Sequence, residues 1–84
     1  MVLSGGFDPL HVGHIRMIKH ARDMAALVVV GVNSDAWLKR KRGRVGTNFE
    51  DRCELVASIR GVTSAVGFDD EDDTAVSLLK MVCR

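Results

Sequence analysis

With 84 residues, the chain is long enough for one small domain with a modest hydrophobic core. A hydrophobic content of 46% beside a charged content of 27% is ordinary for a globular protein and argues against disorder along the whole chain. The formal net charge of +1 points to no class of partner, because it combines a basic cluster at residues 39–44 with an acidic cluster at residues 69–73.

The first predicted elements are a strand over residues 1–5, a glycine-containing turn and a helix from Gly13 to Ala25, where apolar residues recur at near-helical spacing. His11 and His14 lie three residues apart at the start of this helix, and residues with that spacing share one helix face. We therefore expect both imidazole rings to face one ligand. His20 lies away from that face and is expected at the surface.

The start of this helix is also a predicted phosphate site. The first-turn N–H groups have no partners within a helix, and they carry the positive end of its dipole. Gly6 and Gly13 would leave room for the phosphates. Two ordinary helix-start histidines and a zinc-binding pair are the alternatives, although no third ligand has an obvious spacing for zinc.

Two more strands are predicted downstream. The continuously apolar residues 27–32 are typical of a strand buried on both faces, as in a parallel sheet. Residues 36–46 are expected to form a loop or a short helical turn. Residues 62–68 are expected to form the third strand, which leads into an acidic loop.

Two more helices complete the predicted order. Thr47 or Asn48 is expected to cap the second helix, which would run to about Arg60, and Thr47 with Glu50 fits a capping box. The third helix is expected over residues 74–82. These helices would carry Cys53 and Cys83, which have no metal-binding or redox spacing and are interpreted as small core residues.

A strand followed by a helix, three times in succession, predicts a Rossmann-like α/β fold with a parallel sheet and right-handed crossovers. Such open sheets bind ligands at the carboxyl ends of their strands. The glycine turn, residues 33–35, the basic cluster, the start of the second helix and the acidic loop all fall on that edge. We therefore predict that this edge is the functional site.

The residues on this edge resemble the H-x-G-H signature of the cytidylyltransferase-like nucleotidyltransferases. The resemblance rests on the run G-G-F-D-P-L-H-V-G-H at residues 5–14, and it continues at residues 32–35, 49–52 and 68–70. The family includes glycerol-phosphate cytidylyltransferases and the adenylyltransferase domain of ADP-heptose synthases. The resemblance implies an enzyme that transfers CMP or AMP from CTP or ATP to a small phosphorylated acceptor, a sugar phosphate or glycerol phosphate, with release of pyrophosphate.

The resemblance also implies roles for individual residues. Catalytic roles, mainly the stabilisation of charge as the α-phosphate is attacked, would fall to His11, His14, Lys39 and Arg52. Nucleotide binding would fall to Gly5, Gly6, Phe7, Asp8, His11, Gly13 and His14. Binding of the acceptor substrate would fall to Asp35, Lys39, Lys41 and Arg52.

Several of these residues have structural alternatives. Asp8 could hold its turn through local backbone bonds, and Asp35 could cap a loop. Arg52 could form a salt bridge with Asp51, Glu54 or the acidic loop. The basic cluster could be a flexible arm that meets phosphates, a solvated charge run, or a nucleic-acid contact. A nucleic-acid partner is disfavoured, because one short cluster on a nearly neutral chain is a small electrostatic footprint. Trp37 is expected to pack the loop before that cluster.

No metal ligands are predicted, and the only expected cofactor is Mg²⁺ carried with the nucleotide. The acidic cluster could be read as a metal cage, but a solvated loop that caps the third helix, with Asp73 at its N-terminus, is the favoured interpretation. The absence of a signal peptide and of a long apolar run predicts a cytoplasmic protein with no membrane contact, and two unpaired cysteines fit a reducing compartment.

Two family features have no counterpart here, a fourth strand and a later serine/threonine-rich motif. We therefore expect residues 1–84 to be one partial nucleotidyltransferase domain, a naturally split product, or a chain completed by forming a homodimer. A truncated, non-catalytic nucleotide-binding module is the alternative function. Related adenylyltransferases and class I aminoacyl-tRNA synthetases carry similar turns but fit residues 33–35 and 49–52 less well.

Overall fold

The computed structural model describes residues 1–72 and 74–82. Its elements are, in chain order, β1 (Val2–Gly5), α1 (Val12–Met24), β2 (Val29–Val32), α2 (Asp35–Arg42), α3 (Phe49–Ala57), β3 (Ser64–Gly67) and α4 (Val76–Val82). The predicted Rossmann-like α/β fold is confirmed. Of the two alternatives for residues 36–46, the loop is wrong for residues 36–42, which belong to α2. This eight-residue helix is longer than a single turn, and its last turn carries residues 39–42 of the basic cluster.

The three strands form one parallel sheet in the order β1-β2-β3. In the register, Leu3 of β1 lies beside Val30 of β2, which lies beside Ala65 of β3. β2 is the central strand, and Val30, Gly31 and Val32 are all buried. The prediction of a strand covered on both faces is therefore confirmed.

The core forms on both faces of β2. Val30 and Val32 belong to a buried cluster with Ala21 of α1 and Val56 of α3. On the sheet's other face a side chain at Gly31 would collide with Leu78 of α4, so that helix packs directly against the strand. Cys53 packs against the core cluster as a half-buried free thiol, whereas Cys83 and Asp73 lie outside the described residues. Within residues 1–72 and 74–82, no helix is long and apolar enough to cross a membrane.

Helix ends on the site edge are set by short polar side chains. The Ser34 hydroxyl caps α2, which ends at Gly43 in the left-handed conformation. Asn48, not Thr47, caps α3 by accepting a hydrogen bond from the Asp51 amide at 2.9 Å. The predicted Thr47–Glu50 capping box is wrong, because Thr47 lies before the N-cap.

Candidate active site

The turn after β1 brings the chain back to α1 through a buried phenylalanine. Phe7 has a φ of 54°, an uncommon conformation for a bulky residue, and its ring is almost fully buried in the core. The Phe7 ring also meets the His14 ring edge to face, with centroids 4.9 Å apart. The buried Phe7 ring therefore holds the turn against the core and packs against the ring of His14.

His11 and His14 hold the start of α1 reciprocally. His11 is the N-cap, and its Nδ1 accepts a hydrogen bond from the Gly13 amide at 3.0 Å. The His11 amide donates in turn to Nδ1 of His14 at 3.2 Å. The two rings stack with centroids 3.9 Å apart. This is a capping box built from imidazoles instead of hydroxyl and carboxylate groups, and it orients both rings through the backbone.

The capping box also decides which ring nitrogen can act on a ligand. An imidazole that accepts at Nδ1 carries its proton on Nε2, so both rings keep Nε2–H as the remaining donor. Desolvation by burial lowers the pKa of His14, and the nearby charges of His11 and Arg42 lower it further. The neutral tautomer of His14, with its Nε2–H donor, is therefore favoured.

These two rings line a cavity of about 240 Å³ at the carboxyl ends of the strands, which we call the histidine cavity. It brings together most of the predicted nucleotide-binding residues with two side chains of α2. Its lining comprises Gly5, Gly6, Phe7, Asp8, Pro9, His11, His14, Trp37 and Arg42.

A second cavity of about 500 Å³ adjoins the first and shares Asp8, Pro9 and Arg42 with it. We call it the arginine cavity, because Arg42 and Arg44 both line it, together with Gly46 and Thr47. Asp8 does not hold its turn through local backbone bonds. Its carboxylate instead accepts the amides of Gly46 at 2.6 Å and Thr47 at 3.2 Å, which fastens the α2–α3 loop to the histidine turn.

The glycines of the turn serve packing more than ligand access. A Cβ at Gly6 would lie 2.8 Å from Leu38 of α2, and a Cβ at Gly13 would lie 2.8 Å from the His11 ring. The amides expected to cradle phosphate are also engaged. Gly13 donates to the His11 ring, and the amides of His14 and Ile15 donate to the His11 carbonyl. Ring nitrogens, and not these amides, are thus the donors that the turn offers to a ligand.

Arg52 differs most from its predicted placement. Its side chain is fully buried, and its guanidinium donates to the carbonyl oxygens of Thr47, Gly6 and Asn33 at 2.9, 2.8 and 2.6 Å. It also pairs with the Asp35 carboxylate at 2.5 Å. We call Arg52 and these four acceptors the buried anchor. Arg52 ties α3 to the ends of β1 and β2 and lines neither cavity, so its predicted contact with a ligand is not supported by this placement.

The other residues predicted to bind substrate also lie apart from the histidines. Asp35 begins α2 and lines a separate recess with Asn48, Phe49 and Glu50. Lys39 and Lys41 are exposed on α2 and are not among the residues that line either cavity. The interpretation of the basic cluster as a flexible arm is corrected, because residues 39–42 are the last turn of a capped helix.

Sequence reasoning misses the roles of two groups. Arg42 and Arg44, and not Lys39 and Lys41, are the basic residues of this cluster that line the cavities. The helical phase of α2 could have separated Arg42 from the two lysines, whereas Arg44 follows the end of the helix at Gly43. Asp70 is predicted in a solvated acidic loop but is only 4% exposed. Burial raises the pKa of the Asp70 carboxyl. Hydrogen bonds lower it, and they come from the Ser34 amide, the Asn33 side chain, the Ser34 hydroxyl and the backbone of Asp70 itself. The hydrogen bonds outweigh burial, so the pKa is lowered.

The parallel sheet with alternating helices is a Rossmann-like α/β fold, and the histidine pair lies at its first crossover. Folds of this class bind ligands at the carboxyl ends of their strands. The family model described as cytidylyltransferase-like matches residues 2–81, and the chain belongs to that family. The predicted resemblance is therefore confirmed.

The chain is similar to longer proteins. It is 38% identical over 81 residues to the bifunctional protein HldE of Granulibacter bethesdensis, a match that covers 94% of this chain and 16% of that protein. It is 40% identical over 82 residues to HldE of a Nitratiruptor species, covering 94% and 17%. A crystal structure of the lipopolysaccharide core biosynthesis protein from Thermoplasma volcanium matches with a TM-score of 0.77 and 26% identity, over 98% of this chain and 63% of that one. The chain thus spans about one sixth of the length of these HldE relatives.

Proposed function

We propose that this chain supplies the nucleotide-binding edge of a nucleotidyltransferase that moves CMP or AMP from CTP or ATP to a small phosphorylated acceptor, a sugar phosphate or glycerol phosphate. Membership of the cytidylyltransferase-like family supports the class of reaction. The similarity to HldE and to a lipopolysaccharide core biosynthesis protein supports a sugar phosphate as acceptor.

One observation carries the proposal: the backbone occupies Nδ1 of both His11 and His14, and both residues line a cavity that Arg42 also lines. Nε2–H is therefore the donor that each ring has left for a ligand. In the proposed reaction an acceptor oxygen attacks the α-phosphorus in line, the bond to the bridging oxygen breaks, and pyrophosphate leaves. Negative charge grows on the phosphoryl oxygens as this happens. Donors oriented before the ligand arrives stabilise that charge, and removal of one such donor costs about 10²–10³ in kcat.

The basic residues of α2 and of the loop after it have different roles in this proposal. Arg42 lies close enough to His14 to lower its pKa, and it lines both cavities. Its planar guanidinium suits a phosphate that spans the boundary between them. Arg44 would hold the acceptor's own phosphate in the arginine cavity. Lys39 and Lys41 would act only through the general positive potential of α2.

Magnesium is proposed as a companion of the nucleotide. Asp8 supplies a carboxylate to the lining of the histidine cavity, but both its oxygens accept backbone amides. Among the described residues, no group of three His, Cys, Asp or Glu is placed to hold a metal ion. These residues do not form a protein-held magnesium site. The phosphates of the nucleotide would carry the ion.

The test is equilibrium binding of CTP and ATP, followed by pyrophosphate release with a panel of sugar phosphates and glycerol phosphate. His11→Ser keeps a short N-cap oxygen for α1 but cannot reach the cavity, so it separates helix capping from ligand binding. We expect His11→Ser to keep the fold, to bind nucleotide about tenfold or more weakly, and to lose turnover. His20→Ser makes the same chemical change on the exposed face of α1 and should match the wild type.

Two results would decide against this proposal. If neither CTP nor ATP binds, or if His11→Ser binds like the wild type, the histidine cavity is not a nucleotide site. Binding without pyrophosphate release from any acceptor would instead support the alternative, a non-catalytic nucleotide-binding module.

A further inference from the structure

Asp70 reaches across the sheet edge to the turn between β2 and α2. It follows β3, yet its Oδ2 accepts hydrogen bonds from the Ser34 amide at 2.8 Å and from the Asn33 side chain at 3.1 Å. Its Oδ1 accepts from the Ser34 hydroxyl at 2.8 Å. Three donors from two consecutive residues therefore converge on one nearly buried carboxylate.

The Ser34 hydroxyl passes this contact on to α2. A hydroxyl has one proton and two lone pairs, and here the proton goes to Asp70. A lone pair is left to accept the Trp37 amide at 3.1 Å, which is the N-cap bond of α2. Asp70 thus fixes the hydroxyl in the rotamer that caps the helix. A second bond, from the Arg40 guanidinium to the Asp70 carbonyl at 3.0 Å, joins the acidic loop to the same helix.

The helix that Asp70 holds forms one wall of the histidine cavity. Trp37 and Arg42 of α2 both line that cavity. Leu38 lies between them in sequence, is buried, and packs on Gly6 with no space for a side chain there. A shift of α2 would therefore move the Trp37 ring and the Arg42 guanidinium relative to His11 and His14.

We propose that Asp70 is a positioning residue: through the Ser34 hydroxyl it sets where α2 presents Trp37 and Arg42 to the nucleotide. The part of this statement that concerns the nucleotide rests on the proposed function. The part that concerns α2 does not, because it can be measured in the protein without a ligand.

Trp37 makes the second part measurable, since it is the only tryptophan of the chain and there is no tyrosine. Its emission and its quenching by acrylamide report the position of α2 directly. The variant is Asp70→Asn, which removes the charge and one acceptor position while keeping the shape. The matched control is Asp69→Asn, the same change at an exposed neighbour whose carboxylate accepts the local amide of Glu71.

We expect Asp70→Asn to raise acrylamide quenching of Trp37 in the ligand-free protein by about twofold, and to weaken CTP or ATP binding by about tenfold, the effect of losing one hydrogen bond to a charged group. Asp69→Asn should change neither. Ser34→Ala removes the hydroxyl that joins Asp70 to α2 and should reproduce both effects. Ser34→Thr keeps the hydroxyl and should show wild-type quenching and wild-type nucleotide binding. Because Asp70 and the Ser34 hydroxyl act as a unit, the double variant should be no worse than Asp70→Asn alone.

The outcomes separate the two proposals. If the wild type binds neither nucleotide, the proposed function fails, and Trp37 quenching in the ligand-free variants still decides the role of Asp70. If Asp70→Asn and Ser34→Ala leave Trp37 quenching at the wild-type value, the positioning role is overturned. Should Asp70→Asn fail to fold, the comparison of Ser34→Ala with Ser34→Thr decides the question, because both keep the Asp70 carboxylate.

Discussion

Two polar regions meet at the carboxyl edge of the sheet, and they differ in how many N–H donors remain available to a ligand. In the histidine turn, residues 5–14, the backbone occupies Nδ1 of His11 and His14, and each ring keeps Nε2–H at a cavity. In the buried anchor, three backbone carbonyls and the Asp35 carboxylate accept the guanidinium of Arg52. A ligand can still be bound by the first region, whereas in the second Arg52 is fully buried and four of its five N–H donors are already bonded to the protein.

Residue type and position along the sheet edge therefore do not separate a binding group from a structural one. Arg52 and His14 both lie in segments on which the predicted resemblance rests, and both lie where open α/β sheets bind ligands. The two residues differ in burial and in the number of side-chain N–H donors that remain once their hydrogen bonds within the protein are formed. Substitutions from the buried end of the edge to the exposed end should expose this difference as a falling series of effects.

The largest effect is expected at the buried anchor. Arg52→Ala leaves the carbonyls of Gly6, Asn33 and Thr47 and the Asp35 carboxylate without their donor. The Asp35 side chain is 45% exposed and can be solvated, but each buried carbonyl left without its donor costs about 1–3 kcal/mol, so we expect a total loss of about 3–5 kcal/mol of unfolding free energy. Urea unfolding followed by circular dichroism measures the loss, and the exposed Arg60→Ala should stay within about 0.5 kcal/mol of the wild type. An Arg52→Ala chain that is fully stable but no longer binds nucleotide would return Arg52 to the ligand-binding group.

A smaller loss is expected at Asp8, which is half-buried between the two regions. Asp8→Ala removes the acceptor for the amides of Gly46 and Thr47. Hydrogen bonds to a charged group contribute about 1.5–3 kcal/mol, and we expect a loss near the lower end of that range because the site is open to water. Urea unfolding again measures it, with exposed Asp23→Ala as the control. Equal stability of the two variants would mean that Asp8 does not hold the loop.

A loss of about 1 kcal/mol is expected for Asn48→Ala, because Asn48 caps α3 through its side chain. Asn48→Asp keeps the acceptor and should retain wild-type stability. Thr47→Ala sharpens the comparison, since Thr47 contributes its backbone carbonyl and amide to Arg52 and Asp8 and lies outside the helix. A larger loss for Thr47→Ala than for Asn48→Ala in thermal unfolding would show that the helix begins one residue earlier.

The sequence predicts the secondary structure and the histidine turn better than it predicts the buried anchor. The three strands, the helices α1, α3 and α4, the burial of β2 and the meeting of His11 with His14 follow from local periodicity and from an i, i+3 spacing, which neighbouring residues determine. The hydrogen-bond partners of Arg52 and Asp70 come from segments up to 46 and 37 positions away. No spacing rule encodes such contacts, so in the sequence both residues resemble solvent-facing or ligand-facing groups.

Residues 36–46 show the same limit at the level of secondary structure. Four consecutive basic residues in this segment are typical of a solvated loop, because the like charges repel one another. The Ser34 cap, the Gly43 end and the burial of Leu38 against Gly6 stabilise a helix there all the same. Two of those three contributions are tertiary or depend on Asp70, and they decide which cations line the cavities.

The smallest effect is expected at the exposed end, in the pH dependence of stability. The pKa of His14 is lowered in the folded chain because burial and the charges of His11 and Arg42 disfavour the imidazolium. Between the folded and unfolded pKa values the folded chain therefore binds fewer protons at His14 than the unfolded chain does. The corresponding stability is fully present above the unfolded pKa of about 6.5 and is lost as the pH falls through the folded value.

His14→Gln removes this titration while keeping an acceptor for the His11 amide. The wild type should therefore lose more stability than His14→Gln when urea unfolding is repeated at about pH 7.5 and at pH values just above about 5, where carboxylates remain ionised. His20→Gln, at an exposed position of the same helix, should retain the wild-type dependence. If His14→Gln keeps the whole pH dependence, the ring is not held neutral by its surroundings, and the contrast between the buried anchor and an available donor would have to rest on His11 alone.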